Sequence, residues 1–424
     1  MKIKAINLVN FKGFKNASLT FDEQLTVIIG ANGSGKSSIL DAISITLSWI
    51  IARIRNAKGQ GLYIAEEQIH NGSKNGNIEA SFDNINSIAI PSKTKRGYNK
   101  AGEIILNDLN SYCENTRANI EANEQQTSIP IFVKYGVGRA VVDIPLRIRK
   151  PHIFELFETY ENSLRGDANF RSFFEWYRNQ EDIENERVKE QINLFNYKDH
   201  MLFRPDRELD AVRNAIYKFM PEFNKIRVRR NPLQMVVEKK GEQLAVNQLS
   251  DGEKTYIALV GDLCRRLVLA NPTLENPLEG EGIVLIDELD LHLHPQWQTE
   301  ITTRLCETFP NVQFIVTTHS PLVITNVQTH QLRIMSNAND NANVSVSQYG
   351  YALPVSVILK DIMKIDNELP KHIEDLKSQI YDSLNQGTKE KTLTLLNELE
   401  LLSPHLPELG KLRKFVDIKF RDKE

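Results

Sequence analysis

Two short segments about 250 residues apart constrain this chain more than anything else in it. The first reads Val27-Ile28-Ile29-Gly30-Ala31-Asn32-Gly33-Ser34-Gly35-Lys36-Ser37-Ser38, an apolar run that feeds a glycine-rich turn and then a helical stretch, Ile39 to Ile50. Glycines let the backbone curl into a nest of inward-pointing N–H groups, and the helix that follows adds its positive N-terminal end, so such a turn receives phosphate. The spacing of Gly30, Gly35, Lys36 and Ser37 is that of a P-loop. Lys36 is placed to reach the β- and γ-phosphates of ATP and the Ser37 hydroxyl to take a position on Mg2+, while Asn32, Gly33, Ser34, Gly35 and Ser38 complete the cradle. The second segment, Ile283-Val284-Leu285-Ile286-Asp287-Glu288, is an apolar strand followed by two acids. A strand apolar throughout suits a parallel sheet buried on both faces, which binds ligands at its C-terminal ends. Asp287 is therefore read as the Mg2+ carboxylate and Glu288 as the base that orients the attacking water.

Three further segments lie between and after these two. Gln248-Leu249-Ser250-Asp251-Gly252-Glu253-Lys254 opens a helix with Ile257, Val260, Leu263 and Leu267 on one stripe, and Ser250 with Glu253 makes a capping box that serves any helix. Leu289-Asp290-Leu291-His292-Leu293-His294-Pro295 leads into a helix whose first turn suits Pro295. Val312-Gln313-Phe314-Ile315-Val316-Thr317-Thr318-His319-Ser320-Pro321 is another apolar strand, ending on a histidine.

In this order, with Asn10-Phe11-Lys12-Gly13-Phe14 ahead of the P-loop, the segments resemble the ATP-binding-cassette ATPases of the SMC and RecF type. The resemblance implies an α/β head with a mixed sheet flanked by helices. It also implies a head-to-head dimer closed over two ATP molecules, each held by the P-loop of one subunit and the signature of the other. Ser250 and the backbone of Gly252 would then meet a γ-phosphate in trans, assisted by the helix dipole. His319 would sense the γ-phosphate and join Glu288 in catalysis, Asp290 would communicate across the dimer, and Lys12 would lie on the nucleotide. Asp251 departs from the transporter signature, which has glycine there, and a carboxylate near phosphate suits slow hydrolysis. The family's glutamine loop has two candidates, Gln68 and the segment Val133-Lys134-Tyr135-Gly136-Val137-Gly138-Arg139.

A chain of 424 residues, 41% hydrophobic and 25% charged, buries a large core and is long enough for two or three domains. No run approaches 18 uninterrupted apolar residues, and Met1-Lys2-Ile3-Lys4 reads as the start of a strand, so a cytoplasmic protein away from membranes is expected. Cys113, Cys264 and Cys306 read as reduced packing residues. A net charge of −3 gives no basic field for nucleic acid. Local basic runs exist at Lys93 to Lys100, at Arg147 to Lys150 and at Lys225 to Arg230, and they read as solvated faces before phosphate tracks. His292 and His294 read as shaping their loop before binding metal, so the only metal expected is Mg2+ held with ATP.

The motifs divide the chain into a first nucleotide-binding part (1–145), a mainly helical insertion with a strand pair (146–247), the signature-to-histidine part (248–350) and a helical C-terminal region (351–424). The first part reads as strands around one helix. The insertion carries an aromatic stripe, Phe154, Phe157, Phe170, Phe173, Phe174, Trp176 and Tyr177, that reads as core, and ends in a strand pair turned at Lys240-Gly241. It has no heptad pattern, which separates it from a long coiled coil. The tail places Ile380, Leu384, Leu393, Leu396, Leu399 and Leu402 at helical spacings and reads as an amphipathic hairpin that either packs on its own lobe or docks a partner.

Over nearly its whole length the sequence is similar to a family of stand-alone bacterial ATPases of defence loci, the PtuA ATPases of Septu-type and retron-linked antiphage systems. Phe173-Phe174-Glu175-Trp176-Tyr177, Ser250 to Lys254 and the tail from Val355 carry that resemblance. It implies a homodimer or larger homo-oligomer, a separate nuclease of HNH type, and nucleic acid engaged through the complex. Asp340 and Asp361 do not form the spaced acidic set of a metal-dependent nuclease domain, so DNA cleavage by this chain is not expected. Three functions stay open: an ATP-gated regulator of a nuclease, a RecF-like repair ATPase acting on DNA, and a scaffold that holds ATP and turns over slowly.

Overall fold

The computed structural model describes residues 1–92, 105–138, 154–194, 206–336, 341–346, 351–363 and 369–420. Two compact units are present, Met1–Ile358 and Leu359–Glu424. The first unit begins with β1 (Ile3–Phe11), β2 (Phe14–Thr20), β3 (Leu25–Gly30), α1 (Lys36–Arg55), β4 (Asn77–Phe82), β5 (Ile88–Pro91), α2 (Asn107–Ala122) and β6 (Ile131–Tyr135). It continues through α3 (Phe170–Leu194), α4 (Arg207–Phe219), β7 (Phe223–Arg230), β8 (Leu233–Lys239), β9 (Glu242–Ala245), α5 (Asp251–Ala270) and β10 (Gly282–Ile286). It closes with α6 (Pro295–Thr308), β11 (Val312–Thr317), α7 (Pro321–Ile324), β12 (Leu332–Ser336), β13 (Asn341–Val346) and α8 (Val355–Val357).

Ten strands form one mixed sheet in the order β5-β4-β1-β2-β13-β12-β3-β11-β10-β6. Its two ends follow two hydrophobic patterns. β1 and β2 alternate buried with exposed residues and pair antiparallel, as sheets with one wet face do. β10 and β11 are buried at every position and β3 at all but its last residue, and with β6 and β12 they pair parallel. Such strands need cover on both faces. The fold is thus the expected α/β head with a mixed sheet flanked by helices. α1 packs against β3, β11, β10 and β6. It is also the one helix among the described residues long and apolar enough to cross a membrane, and 61% of that apolar window is buried inside the fold.

α5 is the most deeply embedded helix of the insertion side, exposing little beyond its first turn. Gly261 explains how α3 approaches it so closely, since a Cβ there would come within 2.6 Å of the Phe173 ring. Phe170, Phe173, Phe174, Trp176 and Tyr177 are all buried and form core, whereas Phe154 and Phe157 of the same aromatic stripe are half-buried. Where α5 passes β6, a charged cluster lies inside the protein. Asp262 accepts from Tyr135 Oη (2.9 Å), Arg266 Nε (2.8 Å) and Arg265 (3.1 Å), and all four side chains are buried. Burial raises the Asp262 pKa, but Arg266 and Arg265 outweigh it and hold the carboxyl below its ordinary value.

Three local expectations differ from what is found. The strand pair near residue 240 is a three-stranded sheet, β7-β8-β9, with the Lys240-Gly241 turn joining β8 to β9 and both turn residues at positive φ. A second helix, α2, accompanies α1; only Leu109, Cys113 and Ile120 of it are buried, too sparse a stripe to stand out. Among the described residues the second unit has three α-helices, α9 (Lys371–Gln386), α10 (Lys389–Leu402) and α11 (Leu409–Phe420), where a hairpin is expected from the sequence. Leu409, Leu412, Val416 and Phe420 of α11 join Ile380, Leu384, Leu396 and Leu399 in one core. Gly387 ends α9 in the left-handed conformation, φ 74°. The three cysteines are free, and burial pushes the Cys113 and Cys306 thiols up to about 12.

Replacing Asp262 with alanine strands two buried guanidinium groups. We expect Asp262→Ala to lose about 3–5 kcal/mol of stability in urea unfolding of the full chain.

Candidate active site

Parallel pairing brings the C-terminal ends of β3, β11 and β10 side by side. The turn after β3 is built by its glycines. A Cβ on Gly30 would lie 2.7 Å from the Met335 carbonyl oxygen and from Ser34 Oγ, and Gly33 and Gly35 have φ of 78° and 95°. Phe14, from the N-terminal hairpin, presses its ring on Gly35, leaving no room for a side chain there. Ser34 N–H donates to the Ala31 carbonyl at 3.1 Å and closes the turn. Asn32, Gly33 and Ser37 are exposed, Gly35 and Ser38 half-buried, and Ser34 and Lys36 buried.

Lys36 Nζ donates to the carbonyls of Gly30 (2.9 Å) and Ala31 (3.1 Å), arching over its own turn. Burial lowers its pKa, opposed by the charges of Asp287, Glu288 and Asp290, so these three carboxylates share a field with the ammonium. Both halves of the expected ATP site therefore meet in one place. Thr317, the last residue of β11, organises the acids: its hydroxyl donates to Asp287 Oδ1 (2.5 Å) and accepts from Glu288 N–H (2.8 Å). Glu288 sits at φ 49°, a turn that carries the chain out of β10 immediately after Asp287. Asp290 accepts from the Thr318 hydroxyl and from His319 N–H (3.2 Å), which ties the loop after β10 to the half-buried histidine. His294 Nδ1 accepts from Gln296 N–H at the start of α6. Among the described residues no group of three or more histidines, cysteines or acids is placed to hold a metal.

Ser250 and Gly252 belong to a separate cluster at the start of α5. Ser250 N–H and Oγ donate to Glu253 Oε2 at 2.9 and 2.8 Å, and Lys239 Nζ donates to Glu253 Oε1 at 2.6 Å. Burial raises the Glu253 pKa, but Lys239 and Ser250 more than offset it and leave the carboxyl below its ordinary value. Gly252 is buried against the loop after β10; a Cβ would stand 2.4 Å from the His292 carbonyl oxygen. Asp251 is exposed and faces Lys254 at 3.3 Å.

Lys12 is brought to α1, where Asp41 bonds both Lys12 and Lys134 of β6. Asp41 lies one turn beyond Ser37, on the same side of α1. Of the two glutamine-loop candidates, Gln68 Oε1 accepts from Ala65 N–H (2.9 Å) within its own turn, and its carbonyl accepts from Lys12 N–H. The other candidate continues β6, whose Tyr135 carbonyl accepts from Asp287 N–H at 2.8 Å. Arg139 lies outside the described residues, as do the basic runs 93–100 and 147–150 and Asp340. Thr317 and Asp41 are not marked as site residues by their sequence context, and Lys134 stands there only within the second glutamine-loop segment. An acid in the otherwise apolar run of α1 was the one available signal.

The residues fit Mg2+ and a triphosphate. Ser34 Oγ is buried with no hydrogen-bond partner, the turn tolerates no Cβ at Gly30 or Gly35, and the hydroxyl of Ser37 and the carboxylate of Asp287 are hard oxygen donors. A glycine turn between a parallel strand and a buried helix, with a lysine facing carboxylates one strand removed, defines a P-loop nucleotide-binding protein. The AAA ATPase domain family matches residues 1–324, and the chain belongs to that family. It is 33% identical over 394 residues to the retron Ec83 probable ATPase of Escherichia coli, covering 80% of this chain and 72% of that protein. It is 34% identical over 378 residues to the retron Vc95 probable ATPase of Vibrio cholerae serotype O1 biovar El Tor, covering 79% and 74%. Similarity to the Septu protein PtuA of Bacillus thuringiensis is lower, 24%, but spans 99% of this chain and 98% of that one.

Thr317→Val removes both bonds that orient the acids while keeping the side chain's volume. We expect the ATPase kcat to fall about 10-fold to 100-fold with little change in KM, read from steady-state hydrolysis. Burial raises the Asp41 pKa, but Lys12 and Lys134 outweigh it and hold the carboxyl below its ordinary value, so Asp41 stabilises the fold above the unfolded aspartate value of about 4. The stability gap between wild type and Asp41→Asn should be constant above that pH and close as the pH falls below about 4, in urea unfolding across pH.

Proposed function

We propose that this chain binds and hydrolyses ATP, dimerises around it, and controls a separate nuclease in defence against phage. The observation that carries the catalytic part is the parallel register that brings Asp287 and Glu288, held by Thr317, to the same sheet edge as the glycine turn and Lys36. Similarity to the retron ATPases and to PtuA supports the defence part.

Ser37 and Asp287 would hold the Mg2+ that arrives with ATP, and the bound ion would supply neutralising charge to the phosphates. Lys36 exchanges its own turn's carbonyls for the β- and γ-phosphate oxygens, while backbone N–H groups from Asn32 to Ser38 and the N-terminus of α1 take the rest of the charge. Glu288 orients a water for in-line attack and takes its proton. Thr317 fixes the backbone turn from which Glu288 projects. His319, held through its N–H by Asp290, faces the γ-phosphate. Ser250 and the start of α5 would complete the site of a second copy, where the helix end favours an anion and Lys254 offsets the charge of Asp251. The nuclease is of HNH type in this reading, and nucleic acid is engaged through the complex.

Two variants and one co-purification test this. Lys36→Ala should abolish nucleotide binding in equilibrium titration. Glu288→Gln should retain ATP, lower kcat by about 100-fold or more, and hold a dimer in light scattering. Wild-type hydrolysis by Glu288→Gln would refute the base assignment. Co-expressed with its genomic neighbours, the chain should carry down a nuclease in a complex that depends on nucleotide. A lone ATP-induced dimer would shift the function to a repair ATPase acting on DNA.

A further inference from the structure

Asp287 takes its backbone position from β6, because its N–H donates to the Tyr135 carbonyl at 2.8 Å. The side chain of the same tyrosine runs the other way, to α5. It is fully buried, and its hydroxyl donates to Asp262 Oδ2 at 2.9 Å. Asp262 is anchored in turn: Arg266, which it bonds, donates onward to the carbonyls of Thr159 (2.6 Å) and Glu161 (3.1 Å). A packed cluster of this kind has few alternative arrangements, so a displacement at one end is passed to the other. Ser250 caps the same helix twelve residues earlier, about 18 Å along its axis. A second tie exists at that end, where Gly252 packs on the His292 carbonyl of the loop that follows Glu288.

We propose that Tyr135 is a positioning residue that couples the two half-sites within one subunit: its backbone seats Asp287, and its hydroxyl holds the helix that presents Ser250 and Gly252 to a second copy. This rests on the dimer reading above. Mg2+ and ATP at Asp287 then bias the position of α5, and the signature of that subunit meets the other nucleotide accordingly. Each site reports its occupancy to its neighbour through a phenol hydroxyl, and phenylalanine would keep the ring packing while removing the link.

The test is Tyr135→Phe in the full chain, with ATP hydrolysis measured against ATP concentration in the presence of Mg2+. Wild type should show a Hill coefficient near 2, and Tyr135→Phe a value near 1 with a half-saturating ATP concentration within about 3-fold of wild type. A cooperative wild type whose Tyr135→Phe variant keeps the same Hill coefficient overturns the coupling and leaves the dimer reading standing. A wild type that neither dimerises with ATP nor shows cooperativity overturns the dimer reading and the coupling with it. Hydrogen exchange gives a second measurement on wild type alone. The amides of α5 around Asp262 should slow when Mg2+ and ATP are added, and an unchanged rate there also overturns the coupling.

Discussion

Backbone hydrogen bonds between four parallel strands fix where every catalytic candidate in the first unit comes out. In that ladder Val316 stands opposite both Ile286 and Val27, and Ile286 opposite Tyr135. Asp287 follows β10 and Thr317 ends β11 at this level, while β3 runs on beside β12 to Gly30, where the glycine turn begins. Side chains alternate along a strand, so a one-residue slip of β11 would turn the Thr317 hydroxyl to the opposite face and away from Asp287. β11 is buried on both faces, so apolar content alone does not set its register; the bonds of Gln313 to the Ile3 backbone and the Asp22 carbonyl, and of Thr317 to Asp287, hold it. The register of these strands is thus a catalytic constraint as much as a folding one.

The legible part of the site was the part whose chemistry is local. A phosphate turn needs glycine at positive φ, a lysine and a hydroxyl within a few residues, and Gly33, Gly35, Lys36 and Ser37 supply them without reference to the rest of the chain. An apolar strand ending in Asp287-Glu288 is local in the same sense. Thr317 is not. It belongs to the site only because β11 lies between β3 and β10, an order that hydrophobic patterning does not encode. Lys134 and Asp41 meet across 93 residues for the same reason. In the fold, the periodic elements were readable in proportion to how much of them is buried. α5 announced itself through a full apolar face, while α2, with three buried residues, did not.

The start of α5 shows why a readable motif still leaves its use open. Ser250 and Glu253 form the capping box that their spacing suggests, and the bond to Lys239 makes that cap a buried, charge-assisted one. Nothing in a cap requires glycine at the second helical position. Gly252 is explained by the neighbour it meets, the His292 carbonyl, since any Cβ would force the loop after β10 away from the helix. The glycine therefore serves contact between two segments of one subunit, and whatever it does for a nucleotide is added to that role.

Electrostatics completes the same logic at the opposite edge of the turn. Asp41 accepts from two ammonium groups, so the Lys12-Asp41-Lys134 cluster keeps one net positive charge beside the helix that begins at Lys36. Lys36 itself bonds the Gly30 and Ala31 carbonyls and feels the charges of Asp287, Glu288 and Asp290. Basic groups at Lys12, Lys134 and Lys36 and acids at Asp287, Glu288 and Asp290 thus belong to the elements around the glycine turn, a mixture that suits an anion accompanied by a cation. A triphosphate with its magnesium ion has that form. Because Phe14 packs on Gly35 and Lys12 bonds Asp41, the N-terminal hairpin is tied to both the glycine turn and α1, which gives the Asn10 to Phe14 segment a physical reason to accompany the turn.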